Sequence, residues 1–387
     1  MNRKQFLWLM LLVVVMGGAG LGVFWKDITA YRDSGAKIGA QLLTGIRVSD
    51  VAKIRLQDAR DETTLVLKDK FWRVEQRGGY PADFGQISGL ILKLLDVKVL
   101  QSETVGASLH GRLNLLAPVK GDGKAGGKAG GKADGKDAAE GTGTQIELFD
   151  ASGKRLAGLM LGKVSLKKDP LNPLPNARDG VPAGRHVLLA GREDRVVVVG
   201  DPLEKAVATP GAWVARDFFK VERIRALRRS GADGWQIGRD EEWGQWKFLA
   251  GGGMLNPSAA VAANNALGSP EFTDVVVDDS VDFAKAIELT ADTFDGLTYR
   301  IRALPQATGD YLVKFAVSGT PSKTRKRDAK EKADESAKLD QEYAETVKRL
   351  EARVLVEQAR SQWTYRVAGK VLEPLVRGRD LLAVPAR

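Results

Sequence analysis

The hydrophobic positions of the chain begin with one long stretch near the N-terminus. From Phe6 to Trp25 about 20 residues carry no charge, which is enough for a helix to cross the hydrocarbon core of a membrane. A buried helix inside a globular core explains the stretch less well, because it is apolar on every side. We therefore predict a cytoplasmic tip and a transmembrane anchor within residues 1–30.

The flanking charges indicate how this segment is oriented. Arg3 and Lys4 precede it, whereas Lys26 and Asp27 nearly cancel after it, so the positive-inside rule places the N-terminus in the cytoplasm. The alternative is a signal peptide cleaved near Gly18–Gly20. The apolar stretch continues past that position, which favours the anchor. Either interpretation predicts that the chain after the segment is exported.

Beyond residue 45, two stretches of the chain repeat one pattern of apolar and polar residues in the same order. Each begins with a strand and a hairpin whose second strand carries a tryptophan. The matching segments are Val51–Leu56, Leu65–Asp69 and Trp72 in the first copy, and Val221–Leu227, Trp235–Asp240 and Trp243 in the second. The later strand pairs are Gln145–Asp150 with Ala286–Thr290, Arg155–Gly162 with Gly296–Leu304, His186–Ala190 with Tyr311–Val317, and Arg195–Asp201 with Trp363–Gly369.

Each copy places one main helix after its hairpin. In the first copy, Asp83 and Gln86 make a D-x-x-Q capping box at the helix start. A one-sided apolar stripe predicts packing on the hairpins, and it consists of Ile87, Leu90, Ile91, Leu94 and Leu95. In the second copy, Asn256 caps a helix that starts at Pro257. The inward-facing residues of this helix are predicted to be Val261 and Leu267.

These patterns predict an α+β protein with an N-terminal transmembrane helix and two tandem related units, residues 45–219 and 220–387. Each unit is a mainly antiparallel sheet with one main helix. The Gly/Lys insertion at 120–143 has no apolar residue larger than Ala in its repeats, which predicts a flexible loop. The charged insertion at 321–361 predicts an amphipathic helix that docks on its own domain or on a partner. The apolar face of that helix is Leu339, Tyr343, Val347, Leu350 and Val354.

Composition and charge narrow the range of functions. The chain has 387 residues and is 43% hydrophobic, which excludes global disorder and suits two domains. It has no cysteine and only two histidines, His110 and His186, so cysteine nucleophiles, disulfides and histidine-rich metal sites are excluded. The formal net charge of +10 favours an anionic neighbour such as lipid headgroups, a cell-wall polymer or nucleic acid.

Several histidines and aspartates are of residue types that often act in catalysis or metal binding, but structural roles explain them more simply. His110 and His186 have no carboxylate or second histidine at triad or ligand spacing, so we interpret both as hydrogen-bonded surface histidines. The capping role of Asp83 accounts for that residue without catalysis. Asp278 and Asp279 lack the spacing of a calcium loop, which favours a solvated turn.

Three other patterns are typical of ligand-binding motifs but favour structural roles here. Residues 126–132 satisfy G-x-x-x-x-G-K, yet Ala133 stands where a nucleotide-binding loop needs Ser or Thr. The basic run Lys323–Arg327 suits nucleic acid, but export favours a solvated helix start or contact with anionic headgroups. Tryptophans that can stack on carbohydrate recur at equivalent strand positions, which is typical of core aromatics. They are Trp72, Trp213, Trp235, Trp243, Trp246 and Trp363.

Several of these features together resemble one family. The anchor, the V-x-x-I-x-L strand, the tryptophan strand and the Tyr80–Asp83 helix start are followed by Leu109–Leu115, Pro118 and a strand with Leu161-Gly162. This order is similar to the DUF4340 family of bacterial membrane-anchored proteins, many of which look like companions of ABC-type export or gliding-machinery components. The resemblance implies an accessory protein facing the periplasm and supplies no active-site residues. The Gly/Lys insertion departs from the usual pattern of the family.

We therefore expect a non-enzymatic accessory or scaffold protein in the bacterial inner membrane, with its bulk in the periplasm and an ABC-type transport or gliding-type envelope system as partner. No catalytic, cofactor-binding or metal-binding residue and no nucleic-acid partner is predicted. The alternative is a module that binds cell-wall glycan or anionic lipid, and burial of Trp72, Trp235 and Trp243 would argue against it. A third hypothesis is a hydrolase with Asp or Ser residues in a cleft.

Overall fold

The computed structural model describes residues 38–118, 140–167, 180–278, 280–325, 327 and 331–384. Within these residues the protein is α+β, with two large antiparallel sheets and four helices. The described chain divides into two compact units. The first comprises the residues up to Leu67 together with Phe84–Thr209, and the second comprises Lys68–Asp83 together with the residues from Pro210 onward.

Nine strands and one helix occur in the described chain before residue 200. The strands are β1 (Lys53–Gln57), β2 (Glu62–Lys68), β3 (Phe71–Val74), β4 (Tyr80–Pro81), β5 (Val99–Thr104), β6 (Thr144–Phe149), β7 (Arg155–Lys167), β8 (Val181–Leu189) and β9 (Arg195–Val199). Helix α1 (Phe84–Asp96) lies between β4 and β5 in the chain. In the first unit the antiparallel strands follow the order β2-β1-β6-β7-β8-β9-β5.

Eight strands and three helices follow in the described residues after Thr209. The strands are β10 (Ile224–Arg229), β11 (Trp235–Gly238), β12 (Lys247–Phe248), β13 (Asp274–Val276), β14 (Ile287–Thr293), β15 (Leu297–Pro305), β16 (Tyr311–Gly319) and β17 (Thr364–Val367). The helices are α2 (Pro257–Gly268), α3 (Ala333–Arg360) and α4 (Gly369–Val376). The sheet has the order β12-β11-β10-β14-β15-β16-β17-β13.

The two sheets have the same strand order over seven strands. The order β2-β1-β6-β7-β8-β9-β5 corresponds position by position to β11-β10-β14-β15-β16-β17-β13. The predicted strands Gln145–Asp150 and Ala286–Thr290 fall on the corresponding strands β6 and β14. The strands β5 and β13 were not predicted. In β5 only Val99 is deeply buried, so this strand lacks the apolar alternation by which strands are recognised.

The start and the buried face of helix α1 agree with the sequence. The helix begins at Phe84, directly after Asp83, as the capping pattern predicted. Its buried residues are Ile87, Leu90, Ile91 and Leu94. Leu95, the fifth residue of the predicted stripe, is half-buried. An amphipathic stripe of this width is sufficient to dock a helix on a sheet, which explains why the local pattern was a reliable guide.

Helix α2 has the predicted cap but not the predicted face. The side chain of Asn256 accepts hydrogen bonds from two backbone N–H groups of the first turn, and Pro257 is the first helical residue. Val261 was predicted to face inward and is exposed, so that prediction is wrong. The buried residues are Ala260, Ala263 and Leu267. Alanines on this face let the helix approach its neighbours closely, and a search for large apolar residues overlooks them.

Residues 68–83 and 210–219 belong to the second unit, although they fall within the range 45–219 that we predicted for the first. The hairpin β3–β4 places Tyr80 in an aromatic cluster, with its ring 4.9 Å from that of Trp363 and 6.0 Å from that of Tyr365. Arg77 donates two hydrogen bonds of 2.7 Å to the two carboxylate oxygens of Asp274. These contacts link the hairpin to residues much later in the chain, which the local sequence pattern cannot reveal.

The helix expected within 321–361 is α3. Helix α4 was not predicted, so the second unit holds three helices in its described part, where we expected one main helix and a helical insertion. Among the described residues, no helix combines the length and the hydropathy needed to cross a membrane. The predicted anchor at Phe6–Trp25 and most of the Gly/Lys insertion at 120–143 lie outside the described residues, and both stay predictions.

Candidate functional site

A cavity of about 350 Å³ lies in the first unit, beside the strands β6, β7 and β8. Its apolar wall is formed mainly by leucines and one methionine, namely Leu115, Leu159, Met160 and Leu188. Its polar lining residues are His110, Gln145, Glu147, Arg155 and Glu193. The volume lies within the range of natural small-molecule sites, and an apolar wall with a few polar groups is their usual composition.

The space results from small residues in the sheet. Gly158 on β7 is paired with Glu147 on β6 and has no side chain to fill the room above it. A Cβ atom at Gly158 would lie 3.0 Å from the Cβ atom of Ala190, so a larger residue there would crowd the wall. Gln145 and Glu147 are two positions apart on β6 and therefore point to the same face of the sheet.

His110 is a buried member of this wall. It lies between the 3-10 helices Ala107–Leu109 and Gly111–Leu113, and its carbonyl accepts hydrogen bonds from the N–H groups of Leu113 and Leu115. These two bonds fold the loop tightly over the sheet. The side chain is 8% exposed, and its Nε2 atom is buried without a hydrogen-bond partner. Our interpretation of His110 as a satisfied surface histidine is therefore wrong, because nothing in its neighbouring sequence shows that the loop turns inward.

Glu147 is equally buried but is paired. One of its carboxylate oxygens lies 3.4 Å from Arg55 Nη1, and the other lies 3.3 Å from Arg155 Nη1. Arg55 also donates a 2.8 Å hydrogen bond to Glu62, and this bond is the main reason why the pKa of Arg55 is raised. The negative charge of Glu147 is thus offset by two guanidinium groups. The cavity wall thus includes a buried imidazole and a buried carboxylate that is paired with two guanidinium groups.

A second feature of interest is α3, the 28-residue helix of the second unit. Of its predicted apolar face, Val347 and Val354 are buried, Tyr343 and Leu350 are half-buried, and Leu339 is exposed. The prediction is thus correct for the C-terminal part of the helix, which docks on the unit's own sheet. The buried face continues one turn further to Glu357, whose side chain is 2% exposed.

Glu357 is held by a network of polar groups. It accepts a 2.8 Å hydrogen bond from the hydroxyl of Tyr299 and a 3.0 Å bond from the backbone N–H of Lys220. Arg353 Nε lies 3.6 Å from the carboxylate, which is close enough for an ion pair but too far for a hydrogen bond. Arg353 instead donates a 2.6 Å bond to Glu222. Burial raises the pKa values of both Glu357 and Tyr299.

The sequence itself carries a signal that Glu357 is buried. The residue lies three positions after Val354 and seven after Leu350, which places it on the apolar stripe of the helix. In a helix as charged as α3 a glutamate is ordinarily assigned to the solvent. The position on the stripe was therefore more informative than the type of residue.

Helix α3 also carries a second apolar stripe that faces the solvent. Ala352, Leu355, Val356 and Ala359 are spaced as i, i+3, i+4 and i+7, and all four are exposed. The exposed fractions of Leu355 and Val356 are 67% and 48%. Residues at this spacing lie on one side of a helix, opposite or beside the docked face. The stripe is two turns long, which is the size of a contact with a second helix.

Of the six tryptophans considered from the sequence, three are buried, Trp246 and Trp363 are half-buried, and one is exposed. Trp72, Trp213 and Trp235 are buried, as predicted for core aromatics. Trp243 was predicted on a strand equivalent to that of Trp72, but it lies in a turn before β12 and is 92% exposed. That prediction is wrong, because the turn closed by the bond from Gly244 N–H to the Glu241 carbonyl takes the residue out of the sheet.

The other residues considered from the sequence have ordinary structural roles. His186 Nδ1 lies 2.9 Å from the carbonyl of Lys163, so this histidine is satisfied, as expected. Asp278 accepts a bond from the backbone N–H of Ser280 in an exposed turn, and Asp279 lies outside the described residues. In the basic run, Arg325 and Arg327 both pair with Asp340, so part of its charge is compensated within the protein.

Comparisons with known proteins leave the interpretation to the geometry. No family model matches the chain, and neither a curated protein nor a solved structure matches it. In the described part of the chain, no group of three or more histidine, aspartate or glutamate side chains is placed to hold a metal ion.

Proposed function

We propose that the protein is a non-enzymatic accessory or scaffold protein of a bacterial envelope system, and that α3 is its partner-binding element. The single observation that carries this proposal is the solvent-facing stripe of Ala352, Leu355, Val356 and Ala359 on a helix whose other face is already docked. Exposed apolar residues at helical spacing are suited to a second helix, and adjacent charges such as Lys348 and Glu351 can select the partner.

The proposed location is the inner membrane, with Phe6–Trp25 as a single-pass anchor and the bulk of the chain in the periplasm. The charge-free length of that segment and the preceding Arg3 and Lys4 support this location. The resemblance to the DUF4340 family supports membership in it and an ABC-type transport or gliding-type system as partner. Anchoring in the same membrane would raise the effective concentration of the protein around such a partner.

We also propose that the two units are tandem copies of one ancestral unit. The support is the identical order of seven strands in the two sheets, together with the matching sequence segments on corresponding strands. Under this proposal α3 is an insertion in the second copy only. A partner-binding role for α3 would then be a property that one copy acquired.

The partner proposal can be tested by site-specific photocrosslinking in intact membranes. A photoreactive phenylalanine analogue at Leu355 or Val356 should crosslink to a transporter or envelope subunit, identified by mass spectrometry. The matched control is the same analogue at Lys338, which is exposed on the same helix but outside the stripe. Equal products from position 338, or no envelope subunit above background from either stripe position, would overturn the proposal.

One observation favours the alternative function, which is binding of cell-wall glycan. Trp243 presents almost its whole ring to solvent, as carbohydrate-stacking tryptophans do. The negative charge of Glu241, two residues before Trp243, disfavours an anionic lipid there, so glycan is the better ligand of the two. The substitution Trp243→Ala should abolish co-sedimentation with purified peptidoglycan, whereas Phe71→Ala, at another exposed aromatic residue, should not. Unchanged co-sedimentation of the Trp243 variant would exclude this surface.

A further inference from the structure

We propose that a second pocket of the first unit binds a small carboxylic acid that carries a hydroxyl group. This pocket, which we call the arginine pocket after its residues Arg60 and Arg185, has a volume of about 300 Å³. It lies where the turn between β1 and β2 meets the start of β6 and the middle of β7. It shares no lining residue with the cavity beside Gly158. The proposal does not depend on the partner of α3.

Arg185 on β8 carries a charge that the protein leaves uncompensated. Its half-buried guanidinium group donates hydrogen bonds to the backbone carbonyls of Gly162, Pro202 and Leu203. Within the described chain it forms no ion pair. Burial lowers the pKa of Arg185, and the exposed carboxylate of Glu204 opposes this shift only from a distance. A charge taken out of water is costly unless it is paired, so the position favours a bound anion.

A free N–H group of Arg185 is directed at the pocket. Nε donates a 2.9 Å hydrogen bond to the carbonyl oxygen of Gly162, which also lines the pocket. Nη2 lies on the same edge of the planar guanidinium group as Nε–H. Nη2 has no acceptor among the described residues and is not one of the buried atoms that lack a partner, so it is accessible. It can therefore donate to an oxygen atom of a ligand.

The other charges of the lining favour a ligand with a single negative charge. Arg60, in the turn between β1 and β2, is exposed and forms no ion pair with a described residue. Asp58 is the one carboxylate of the lining, and its Oδ1 atom accepts 2.8 Å hydrogen bonds from the N–H groups of Arg60 and Asp61. Two arginines and one aspartate leave one positive charge. A monoanion neutralises it, whereas a dianion is repelled by Asp58.

The rest of the lining favours a small and polar ligand. Only Ala59 and Leu161 contribute apolar side chains, whereas Asn114 and Thr144 offer hydrogen-bonding groups. The second carboxylate oxygen of Asp58 can accept a hydrogen bond from a hydroxyl group of the ligand. A volume of about 300 Å³ corresponds to about ten water molecules, so a hydroxy acid of roughly that number of non-hydrogen atoms fits.

The test uses four three-carbon probes with the full-length chain in nanodiscs of zwitterionic lipid. Glycerate has one carboxylate and two hydroxyl groups, and glycerol lacks the carboxylate. Tartronate has two carboxylates, and 3-aminopropane-1,2-diol is a cation. Threonine methyl groups labelled with carbon-13 report binding, because Thr144 lines the pocket whereas Thr290 lies in the second unit. Nanodiscs without protein correct for probe that binds to the lipid.

We expect glycerate to shift the Thr144 signal in a saturable way and to leave the Thr290 signal unchanged. Glycerol should bind about tenfold more weakly, which is the usual effect of losing a hydrogen bond to a charged group. Tartronate and the amine should also bind more weakly than glycerate. An unmoved Thr144 signal, equal binding of glycerate and glycerol, or a preference for tartronate or for the amine would overturn the proposal.

Substitutions of the two arginines then assign the contacts of the carboxylate. Arg60→Gln should weaken glycerate about threefold and leave glycerol unchanged, because an exposed charge contributes modestly. The matched control is Arg192→Gln, at an exposed arginine of the same unit that does not line the pocket. Arg185→Gln should remove most of the preference for glycerate over glycerol. A folded Arg185→Gln protein, verified by circular dichroism, that keeps the full preference would show that Arg185 does not bind the carboxylate.

A substitution of Asp58 tests the charge argument in the opposite direction. Asp58→Asn keeps an oxygen that can accept the hydrogen bonds of the turn but removes the negative charge. Tartronate should gain affinity relative to glycerate in this variant, because the second carboxylate is no longer repelled. An unchanged ratio of the two affinities would show that the charge of the lining does not select the ligand.

Discussion

The interiors of the two units are filled in different ways on sheets with the same strand order. Around the cavity of the first unit the packed residues are aliphatic, and Leu115, Leu188 and Val196 form a small separate cluster there. The second unit contains a cluster of aromatic rings on the face of its sheet that carries Phe315 and Tyr365. Tyr80, Phe218, Phe272, Phe315 and Tyr365 lie with neighbouring ring centroids 4.5–6.1 Å apart. Two sheets with the same strand order can therefore be packed with very different side chains.

Each unit also buries a nitrogen atom that has no hydrogen-bond partner among the described residues, His110 Nε2 in the first and Arg353 Nε in the second. Glu357, next to Arg353, accepts hydrogen bonds from the Tyr299 hydroxyl and from a backbone N–H group. Because these donors come from distant parts of the chain, the bonds to Glu357 fix one arrangement of α3 on its sheet.

The largest loss of stability is expected from removing one ring of the aromatic cluster. Tyr80→Ala removes a completely buried ring that contacts several others and should lower the free energy of unfolding by about 3–5 kcal/mol. Urea denaturation followed by tryptophan fluorescence measures this change. The control Phe71→Ala lies on the same hairpin, is exposed, and should cost less than about 0.5 kcal/mol. Equal effects of the two substitutions would show that the cluster does not stabilise the second unit.

Two matched substitutions that replace a buried leucine by the larger phenylalanine test the difference in packing directly. Leu188 on β8 and Leu312 on β16 are buried on corresponding strands of the two sheets. Leu312→Phe should destabilise the second unit by about 1–3 kcal/mol, because a packed core has no room for the ring. Leu188→Phe can extend into the cavity and should change the stability by less than about 0.5 kcal/mol. Similar losses from both, measured by urea denaturation, would contradict a hollow first unit.

The smallest effect expected is a pH dependence that comes from Glu357. Burial raises its pKa above the ordinary value of 4.5, so the native state binds this proton more readily than the unfolded chain does. The stabilisation is fully present below the ordinary pKa and is lost as the pH rises through the raised pKa. Relative to Glu357→Gln, the normal protein should therefore lose stability between pH 4.5 and pH 7, by about 1.4 kcal/mol for each unit of the shift.

Urea denaturation of both proteins at the two pH values measures this difference. The glutamine variant keeps the size of the side chain and a hydrogen-bonding group but cannot titrate, so it is the matched control. If the difference in unfolding free energy between the two proteins is the same at both pH values, the pKa of Glu357 is not raised. A difference that grows in favour of the normal protein as the pH rises would show that the carboxylate is stabilised as an anion.

Much of the fold was predictable because it depends on neighbouring residues. The start of α2 needed only Asn256 and Pro257, and the buried face of α1 needed only the spacing of its leucines and isoleucines. The repeated order of strands was visible because each inner strand carries its own apolar alternation. The edge strand β5 was missed, since its partner β9 and not its own pattern makes it a strand.

The candidate sites were much less predictable. Trp243 and Val261 have the residue type of core positions, and their exposure follows from a turn and from close helix packing. His110 was visible only as one of two histidines, and neither its burial nor its unpaired nitrogen leaves a trace in the neighbouring residues. Glu357 could have been found from its place on the stripe of α3, but the partners that hold it, Tyr299 and Lys220, lie far away in the chain.

The sequence by itself thus determined the helices with local caps and stripes, the inner strands, and the charge-free stretch that predicts an anchor. Only the tertiary structure decided that residues 68–83 pack with the second unit, that a cavity remains beside Gly158, and which polar atoms find a partner. The physical reason is the range of the interactions. Caps and amphipathic periodicity act over one or two turns, whereas cavities and buried hydrogen bonds depend on groups that the fold brings together from distant parts of the chain.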